Sequence, residues 1–377
     1  MKRKVLVMIS PVSAARIAGV ARYARERNWH LMIQDRLGHR PLVWDGDGIV
    51  ATLRSDDATV NTIRRFMKRG IPVVDVTASR PDVKVPRVTS DHVGIGRLAA
   101  EHFRERNFRN VVWFSTGWGN VHALRYRGLA ESIPTEKWVV EESLAKTKRG
   151  DWGAFMRWIG KLLNAAPKPL AALAYDEADA ARILDAAERI GVSVPEELAI
   201  LSIGNDPIIC ENQSVPLSSI DQNLERGGYE AAVMLDRLMD GGKPPAKPVL
   251  IPPNGICLRR STDIMASGDP LVKKTLDYIA ENLSKPFGAS QIADALGISR
   301  NLLDKHFRAD LNRSIGAEIT RQRIAMAKLL LRNSGETVVE IAKRTGFCNP
   351  SHLTNTFRNN TGETPRHYRL NVQRLWE

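Results

Sequence analysis

The sequence predicts a two-lobed α/β domain of doubly wound parallel sheets, followed by an all-α domain with two helix–turn–helix motifs. Short apolar runs alternate with longer helical patterns up to about residue 265. Beyond that point the strand patterns stop, and the helical part uses one apolar spacing twice. The chain has 377 residues, which at roughly 150 residues per domain indicates two or three domains.

Composition and charge exclude several classes of protein. The chain is 43% hydrophobic and 26% charged, with 20 Pro and 27 Gly, so it is neither mainly disordered nor collagen-like. Its net charge of +13 indicates a polyanionic partner or a basic surface. Cys210, Cys257 and Cys348 lie far apart without metal-ligand spacing, so we expect no disulfide framework and no metal site.

The N-terminus begins with basic residues followed by the apolar run Val5–Ile9. This run is shorter than the apolar part of a typical signal peptide, and we interpret it as the first buried strand. No stretch of eighteen apolar residues occurs. We therefore expect a cytoplasmic protein with no membrane partner.

The first 265 residues alternate between strand and helix patterns. Predicted strands are the short apolar runs Val5–Ile9, Leu31–Gln34, Gly48–Thr52, Pro72–Val76, Arg87–Thr89, Asn110–Ser115, Lys137–Val140, Leu170–Tyr175, Leu198–Ile203, Ser218–Ile220 and Val249–Ile251. Apolar residues that recur at intervals of three and four residues predict helices. These include Ala58–Arg69, Gly96–Arg106, Trp152–Leu163, Ala178–Ile190 and Leu224–Met239. Eleven strands are too many for one sheet, so we expect two lobes with a ligand between their strand ends.

A domain boundary follows at Ser261–Pro270, a stretch that holds Ser, Thr, Gly and Pro. We place the α/β domain at 1–265, a linker at 266–271, the helical domain at 272–370 and a tail at 371–377. Residues 269–377 hold 17 Lys and Arg against 11 Asp and Glu, a denser positive charge than in the first 268 residues. Predicted helices are Val272–Leu283, Ser290–Leu296, Arg300–Phe307, Ile315–Leu331, Val338–Thr345, Pro350–Asn359 and Pro365–Leu370.

One spacing occurs twice in the helical domain. Its members are a small residue, a glycine, a leucine and a phenylalanine, namely Ala293, Gly297, Leu303 and Phe307, then Ala342, Gly346, Leu353 and Phe357. The alanine permits a close helix crossing, the glycine ends the first helix with positive φ, and the last two residues bury one face of the second. Ser299 can cap the second helix of the first copy, and Pro350 suits the first turn of its counterpart. We predict helix–turn–helix motifs at about 289–309 and 338–360; the alternative is a helical bundle with a chance repeat.

These residues resemble the AraC-type regulators over about 271–370. The resemblance rests on the connecting-helix residues Arg323, Ala327, Leu330 and Leu331, and on Ile341–Phe347, Ser351–Leu353, Phe357–Arg358, Thr361–Gly362 and Thr364–Arg369. It implies two recognition helices on one rigid unit, entering successive major grooves of a DNA duplex about one turn apart (~34 Å).

The resemblance also implies, by position, which side chains contact DNA. Expected base contacts are Arg300, Asn301, Asp304 and Lys305 in the first motif, and Ser351, Thr354 and Asn355 in the second. Asp304 either accepts from a cytosine amino group or balances the charge of Lys305. Expected phosphate contacts, which supply salt-dependent affinity, are His306, Arg308, Lys343, Arg344, Arg358 and Arg366.

The leading domain resembles the sugar-binding core of the LacI and periplasmic binding protein family. This resemblance rests on Val88–Asp91 with Gly94 and Gly96, Asn110–Ser115, Leu124–Gly128, Ala174–Asp176, Ser202–Asp206 and Ser219–Gln222. The usual N-terminal DNA-binding headpiece is missing, since the first strand begins at Val5. The resemblance therefore implies a sugar-sensing domain whose DNA-binding part lies at the C-terminus.

A sugar site combines carboxylates, amides and an arginine with an aromatic face. Candidates at strand ends are Asp91, Arg125, Asp176, Asp206 and Gln222, with Trp118 and Trp152 as stacking platforms. For each aspartate the alternative is a helix N-cap, and for each tryptophan it is a place in the core.

These observations predict a transcription regulator of a carbohydrate-utilisation operon, controlled by xylose or a related monosaccharide. We expect a homodimer that binds an operator with repeated half-sites. RNA polymerase is a further expected partner if the protein activates transcription. Alternatives are a sugar-binding protein without a transcriptional role, and an enzyme. Phosphate-binding and nucleophile-elbow motifs are missing, and His92, His122 and Cys210 occur in isolation, so we expect no catalytic residue and no cofactor.

Overall fold

The computed structural model describes residues 2–10, 13–34, 44–53, 57–117, 119–139, 151–267 and 269–374. The chain forms two compact units. The first comprises Met1–Glu105 and Arg109–Ile264, and the second comprises Arg106–Phe108 and Met265–Glu377. No helix in the described ranges is long and apolar enough to cross a lipid bilayer.

The first lobe of the α/β unit is a parallel sheet covered on both faces. Its elements are β1 Lys4–Met8, α1 Ala14–Glu26, β2 His30–Ile33, β3 Gly48–Ala51, α2 Asp57–Lys68, β4 Val73–Asp75, β5 Val88–Ser90, α8 Leu224–Met239 and β11 Val249–Ile251. The strand order is β2-β1-β3-β4, with β11 paired to β5. Alternate residues of β1 belong to different apolar cores. Val5 and Val7 pack with α1 and α8, whereas Leu6 and Met8 pack with α2. Burial on both faces explains the continuous apolar run.

The second lobe has the strand order β12-β10-β9-β8-β6-β7. Every neighbouring pair is parallel except β10 and β12. The elements of this lobe are α3 His92–Glu105, β6 Asn110–Ser115, α4 Asn120–Ala130, β7 Glu136–Val139, α5 Trp152–Ala165, β8 Leu170–Ala174, α6 Glu177–Ile190, β9 Leu198–Ile203, α7 Pro207–Glu211, β10 Ser218–Asp221 and β12 Gly255–Cys257. The chain crosses between the lobes after β5, β10 and β11.

The predicted fold class is confirmed, and each predicted strand lies within one residue of its predicted bounds. The sequence analysis missed β12, which contains Gly255 at φ +126° and pairs antiparallel. It also missed α1 and α4. The start of α3 was placed at Gly96 but lies at His92, because Gly94 and Gly96 are part of the helix rather than of a turn before it.

Glycines let helices cross closely in both lobes. A Cβ on Gly228 of α8 would lie 2.0 Å from the carbonyl oxygen of Arg16 in α1. In the second lobe, a Cβ on Gly96 of α3 would lie 2.2 Å from the carbonyl oxygen of Arg125 in α4. These crossings fix the backbone from which both arginines extend.

The second unit contains helices and turns. Its helices are α9 Pro270–Asn282, α10 Ala289–Ala295, α11 Arg300–Leu311, α12 Ile315–Asn333, α13 Val338–Arg344, α14 Pro350–Thr361 and α15 Pro365–Arg374. The first helix therefore starts inside the predicted linker 266–271, and the last extends into the predicted tail 371–377.

Two apolar cores share the long helix α12. Ile315 and Ile319 pack with α9, α10 and α11, whereas Ile324 and Ala327 pack with α13 and α14. One continuous helix therefore contributes to the interior of both helical groups, which ties the two groups to one rigid element.

We expect Gly228→Ala to destabilise the α/β unit by about 1–3 kcal/mol, because the new methyl group overlaps the backbone of α1. Gly227→Ala is the matched control. A Cβ there meets only Ile251 Cγ1, at 3.8 Å, and alanine favours the helix, so its stability should stay equal or rise. Urea unfolding of both variants measures the difference; equal stabilities would contradict the close crossing.

Candidate functional site

Arg125 is the centre of a polar cluster in the α/β unit, where the sequence predicts the ligand cleft. It lies on α4, is 4% exposed, and donates hydrogen bonds to the Tyr175 carbonyl (2.6 Å) and to Oε1 of Gln222 (2.7 Å). Its Nε is 3.4 Å from Nδ1 of His92, and its guanidinium carbon is 4.6 Å from the centroid of the Tyr175 ring. All these partners are neutral. Burial therefore lowers the pKa of Arg125, against opposing effects of Tyr175 and Asp176.

His92 is held in its neutral form. Nδ1 faces the Nε–H of Arg125 and must carry a lone pair to accept from it. Nε2 then carries the proton and donates to Thr89 Oγ1 at 3.3 Å. Burial first, and then the charges of Arg125 and Arg16, lower the pKa of His92 well below its ordinary value.

A second histidine stacks on Tyr175. The rings of His122 and Tyr175 are nearly parallel, with centroids 3.7 Å apart, and Nδ1 of His122 is 2.7 Å from Oγ of Ser115. Burial first, and the charge of Arg125 second, lower the pKa of His122 to about 4. Tyr175 thus lies between a histidine stack and a guanidinium, and it supplies the aromatic ring nearest to Arg125 among the recorded contacts.

The three predicted aspartates do cap helices. In each aspartate, one carboxylate oxygen accepts a hydrogen bond of 2.8–2.9 Å from a backbone N–H in the first turn of the helix that follows. The pairs are Asp91 with Gly94, Asp176 with Asp179, and Asp206 with Ile208. Among the described residues, no recorded hydrogen bond involves the second carboxylate oxygen of these three side chains. The described residues include no group of three His, Cys, Asp or Glu that could hold a metal ion.

The structure brings only part of the predicted site together. Arg125 and Gln222 are hydrogen-bonded to each other, whereas Trp152 is half exposed and packs its ring against Phe155. Trp118 lies outside the described residues. The sequence analysis missed Tyr175, His92 and His122 as cleft residues. The first two directly adjoin Asp176 and Asp91, so their position at the same strand ends was an available signal.

In the C-terminal unit both predicted motifs form a helix–turn–helix. The turns contain Gly297 at φ +68° and Gly346 at φ +70°, and the second helices are capped by Ser299 and Asn349. A Cβ on Gly346 would lie 2.4 Å from the carbonyl oxygen of Leu283, so this turn also needs glycine to fit against its neighbour.

The second helices, α11 and α14, each bury one face and leave the other polar. The buried faces carry Leu303 and Phe307 in α11, and Leu353 and Phe357 in α14, all 0% exposed. The predicted DNA-contacting residues lie away from these faces: Arg300, Asn301, Lys305, Arg308, Ser351, Asn355 and Arg358 are exposed, while Asp304 and Thr354 are half-buried.

Some of these side chains have partners within the protein. Asp304 lies 3.6 Å from Nε of Arg300 rather than beside Lys305, so Arg300 is the cation that it balances. The Thr354 hydroxyl donates to the Pro350 carbonyl at 2.9 Å, which leaves its oxygen free to accept.

Of the expected phosphate contacts, two are engaged elsewhere. His306 Nδ1 is 2.6 Å from the carboxylate of Asp269, the N-cap of α9, and this contact lowers the pKa of Asp269. Arg344 forms an ion pair with Glu336. Lys343 and Arg366 are exposed.

We expect the α/β unit to lose stability as the pH falls from about 6.5 towards 4. An unfolded histidine binds a proton near pH 6.5, whereas folded His122 does so only near 4, so protons favour unfolding across this window. The loss is at most about 1.4 kcal/mol per pH unit for one histidine. The substitution His122→Phe keeps an aromatic ring stacked on Tyr175. The unfolding free energy of this variant should depend less steeply on pH than that of the wild type. His30→Gln, at an exposed position of β2, serves as the control; an unchanged slope in His122→Phe would refute the assignment.

Family models match both units. Residues 100–262 match a periplasmic binding protein-like domain, and residues 292–371 match a helix-turn-helix domain. The second match spans both motifs and the helix α12 between them.

Relatives extend along nearly the whole chain. The xylose operon regulatory protein of Escherichia coli is 27% identical over 94% of this chain and 92% of its own length. That of Haemophilus influenzae is 25% identical over 94% of both chains. The multiple antibiotic resistance protein MarA of Salmonella typhimurium is 29% identical over 112 residues, which cover 30% of this chain.

Solved structures share the fold. A structure described as the xylose-binding transcription activator XylR superposes with a TM-score of 0.62, 24% identity and 98% coverage of both chains. A LacI-family regulatory protein from Chloroflexus aggregans covers 68% of this chain with a TM-score of 0.56 and 19% identity. The chain is thus similar to the xylose operon regulatory proteins along nearly its whole length, and it is a DNA-binding transcription regulator that joins a periplasmic binding protein-like domain to a C-terminal helix-turn-helix domain.

Proposed function

We propose that the protein regulates a carbohydrate-utilisation operon, and that xylose or a related monosaccharide bound between the lobes of the α/β unit controls its binding to operator DNA. The observation that carries this proposal is the pair of helix–turn–helix motifs built on one shared helix, α12. A sugar-binding protein without a transcriptional role has no use for this second unit.

On this proposal α11 and α14 enter successive major grooves, about one turn of duplex apart (~34 Å). Their exposed amide, hydroxyl and cationic side chains read base edges: Arg300, Asn301 and Lys305 in α11, and Ser351, Thr354 and Asn355 in α14. Asp304 orients Arg300 through their ion pair. Phosphate contacts come from Arg308, Arg358, Lys343 and Arg366.

The cleft binds the effector through Arg125 and Gln222. Asp91, Asp176 and Asp206 add one carboxylate oxygen each, because their other oxygen caps a helix. Trp118 and Trp152 remain the candidates for stacking on the apolar face of a sugar. Binding favours the closed arrangement of the lobes, and this population shift alters DNA binding.

The same proposal assigns the partners. A homodimer presents four recognition helices to an operator with repeated half-sites, and RNA polymerase is a partner if the protein activates transcription. A regulator that binds chromosomal DNA acts in the cytoplasm. The protein carries out no reaction and needs no cofactor for this role.

Two variants should affect DNA binding in different ways. Asn355→Ala should weaken binding to an operator selected from random DNA by about 1–3 kcal/mol and relax sequence preference. Arg308→Gln should weaken binding to all sequences alike and reduce the slope of log affinity against log salt by about 1. Lys273→Gln, an exposed cation on α9, is the control. Identical behaviour of Asn355→Ala and Lys273→Gln on selected and random duplexes would argue against the recognition role of α14.

A gel-shift titration with pentoses, hexoses and their derivatives tests the control by effector. We expect at least one compound to move the midpoint of operator binding. The size of this change is limited by the ratio of the compound's affinities for the open and closed arrangements of the lobes. Arg125→Met should abolish that movement and leave effector-free operator binding in place. A midpoint that no sugar or sugar derivative moves would refute the sensing role, while DNA binding would stand.

A further inference from the structure

Arg16 is a half-buried cation with a buried Nε, and the proposed function does not use it. It lies in the first turn of α1, just beyond the carboxyl end of β1. Its Nε is buried without a hydrogen-bond partner, and its guanidinium forms no ion pair within the part of the chain that the structure describes. Burial lowers the pKa of Arg16 to about 10. The negative charge of Asp75 raises this pKa, and the positive charge of Arg125 lowers it further. The charges of Arg16 and Arg125 thus oppose each other.

The carboxylate that opposes the shift in the Arg16 pKa is Asp75, and it is engaged with other donors. Asp75 is 0% exposed; its Oδ2 is 2.7 Å from Nε of Arg87, and its Oδ1 accepts from Leu53 N and from both donors of Thr77. Arg87 thus balances the charge of Asp75, and no recorded hydrogen bond joins Asp75 to Arg16.

Arg125 does not balance the charge either. Its donors go to a carbonyl, an amide oxygen and a neutral imidazole, and the carboxylates beyond it cap helices. The cleft therefore holds two guanidinium groups, and no carboxylate among the described residues is hydrogen-bonded to either. The Nε–H of Arg16 is shielded from water without an acceptor, so this arrangement favours a ligand that supplies negative charge.

The backbone carrying both arginines is fixed. Gly228 of α8 lies against the carbonyl of Arg16, and Gly96 of α3 lies against the carbonyl of Arg125. Neither helix can shift away from the cleft to relieve the repulsion without breaking a close crossing. The two cations are consequently preorganised for an incoming group.

We propose that the effector carries an oxyanion, a carboxylate or a phosphate on a polyhydroxylated molecule, and that Arg16 binds this oxyanion beside Arg125. This inference rests on the proposed function and narrows its effector from a neutral sugar to an acidic sugar derivative. The planar fork of a guanidinium matches a carboxylate or phosphate through two parallel hydrogen bonds, whereas a sugar hydroxyl leaves the charge uncompensated. The polyhydroxyl part would contact Gln222 and the aspartates.

The test uses the full chain and matched compounds: glucose, gluconate and glucose 6-phosphate, with xylose, xylonate and xylose 5-phosphate as the pentose series. Thermal shift measures binding to the protein, and gel shift measures the effect on DNA. At least one oxyanion compound should raise the melting temperature and move the operator midpoint, at concentrations at which its neutral parent does neither. The comparison of acids with phosphates identifies which oxyanion is bound.

Arg16→Met removes the charge and keeps much of the apolar stem. It should weaken binding of the active compound by about 30-fold or more, while Arg16→Lys should retain part of the affinity. Without ligand, Arg16→Met should be at least as stable as the wild type, because the lost cation has no partner. Arg22→Gln, on the same helix but at the surface beside Glu225, is the control and should bind normally.

The outcomes separate the two proposals. A neutral sugar that binds and moves the operator midpoint as well as its oxyanion form, in wild type and Arg16→Met alike, would overturn the oxyanion inference and leave the regulator proposal intact. Failure of every neutral and acidic compound would overturn sugar sensing, and the inference with it. Oxyanion-selective binding that Arg16→Met removes and Arg22→Gln keeps would support both.

Discussion

The burial of the Arg125 guanidinium is the constraint on which the effector cleft depends. Moving a cation out of water costs several kcal/mol, so each of its donors needs an acceptor in a fixed place. These acceptors come from three separate parts of the chain: His92 begins α3, Tyr175 follows β8, and Gln222 follows β10. The guanidinium therefore requires these strand ends and this helix start to meet, and it also fixes the uncharged state of His92.

Close helix crossings set where the charged groups of the cleft can lie. The glycines of α3 and α8 bring neighbouring helices within backbone contact, which leaves no freedom to adjust their separation. In the second unit, α12 has the equivalent role, because its two ends belong to different apolar cores. In both units, packing of apolar or small residues positions polar groups that do not themselves stabilise the fold.

The two units present their polar groups in opposite ways. In the cleft, the Arg125 guanidinium is buried and donates to neutral acceptors, an arrangement suited to discriminating one small molecule. On α11 and α14 most of the predicted DNA-contacting side chains are exposed, an arrangement suited to a hydrated polyanion. The motifs also differ from each other, since α11 exposes Lys305 and Arg308 whereas α14 exposes mainly hydroxyl and amide groups with Arg358. The first motif therefore supplies more of the electrostatic attraction.

The amino-acid sequence alone determined the named strands other than β12, the helices of the second unit and both helix–turn–helix motifs, because apolar periodicity and turn glycines are local signals. It also named Arg125 and Gln222 as candidates for the effector site. Only the tertiary structure decided that these two are hydrogen-bonded, that Asp304 pairs with Arg300, and that Nε of Arg16 is buried without a hydrogen-bond partner. Such facts depend on burial and on distances between residues far apart in the chain, and no local pattern encodes either quantity.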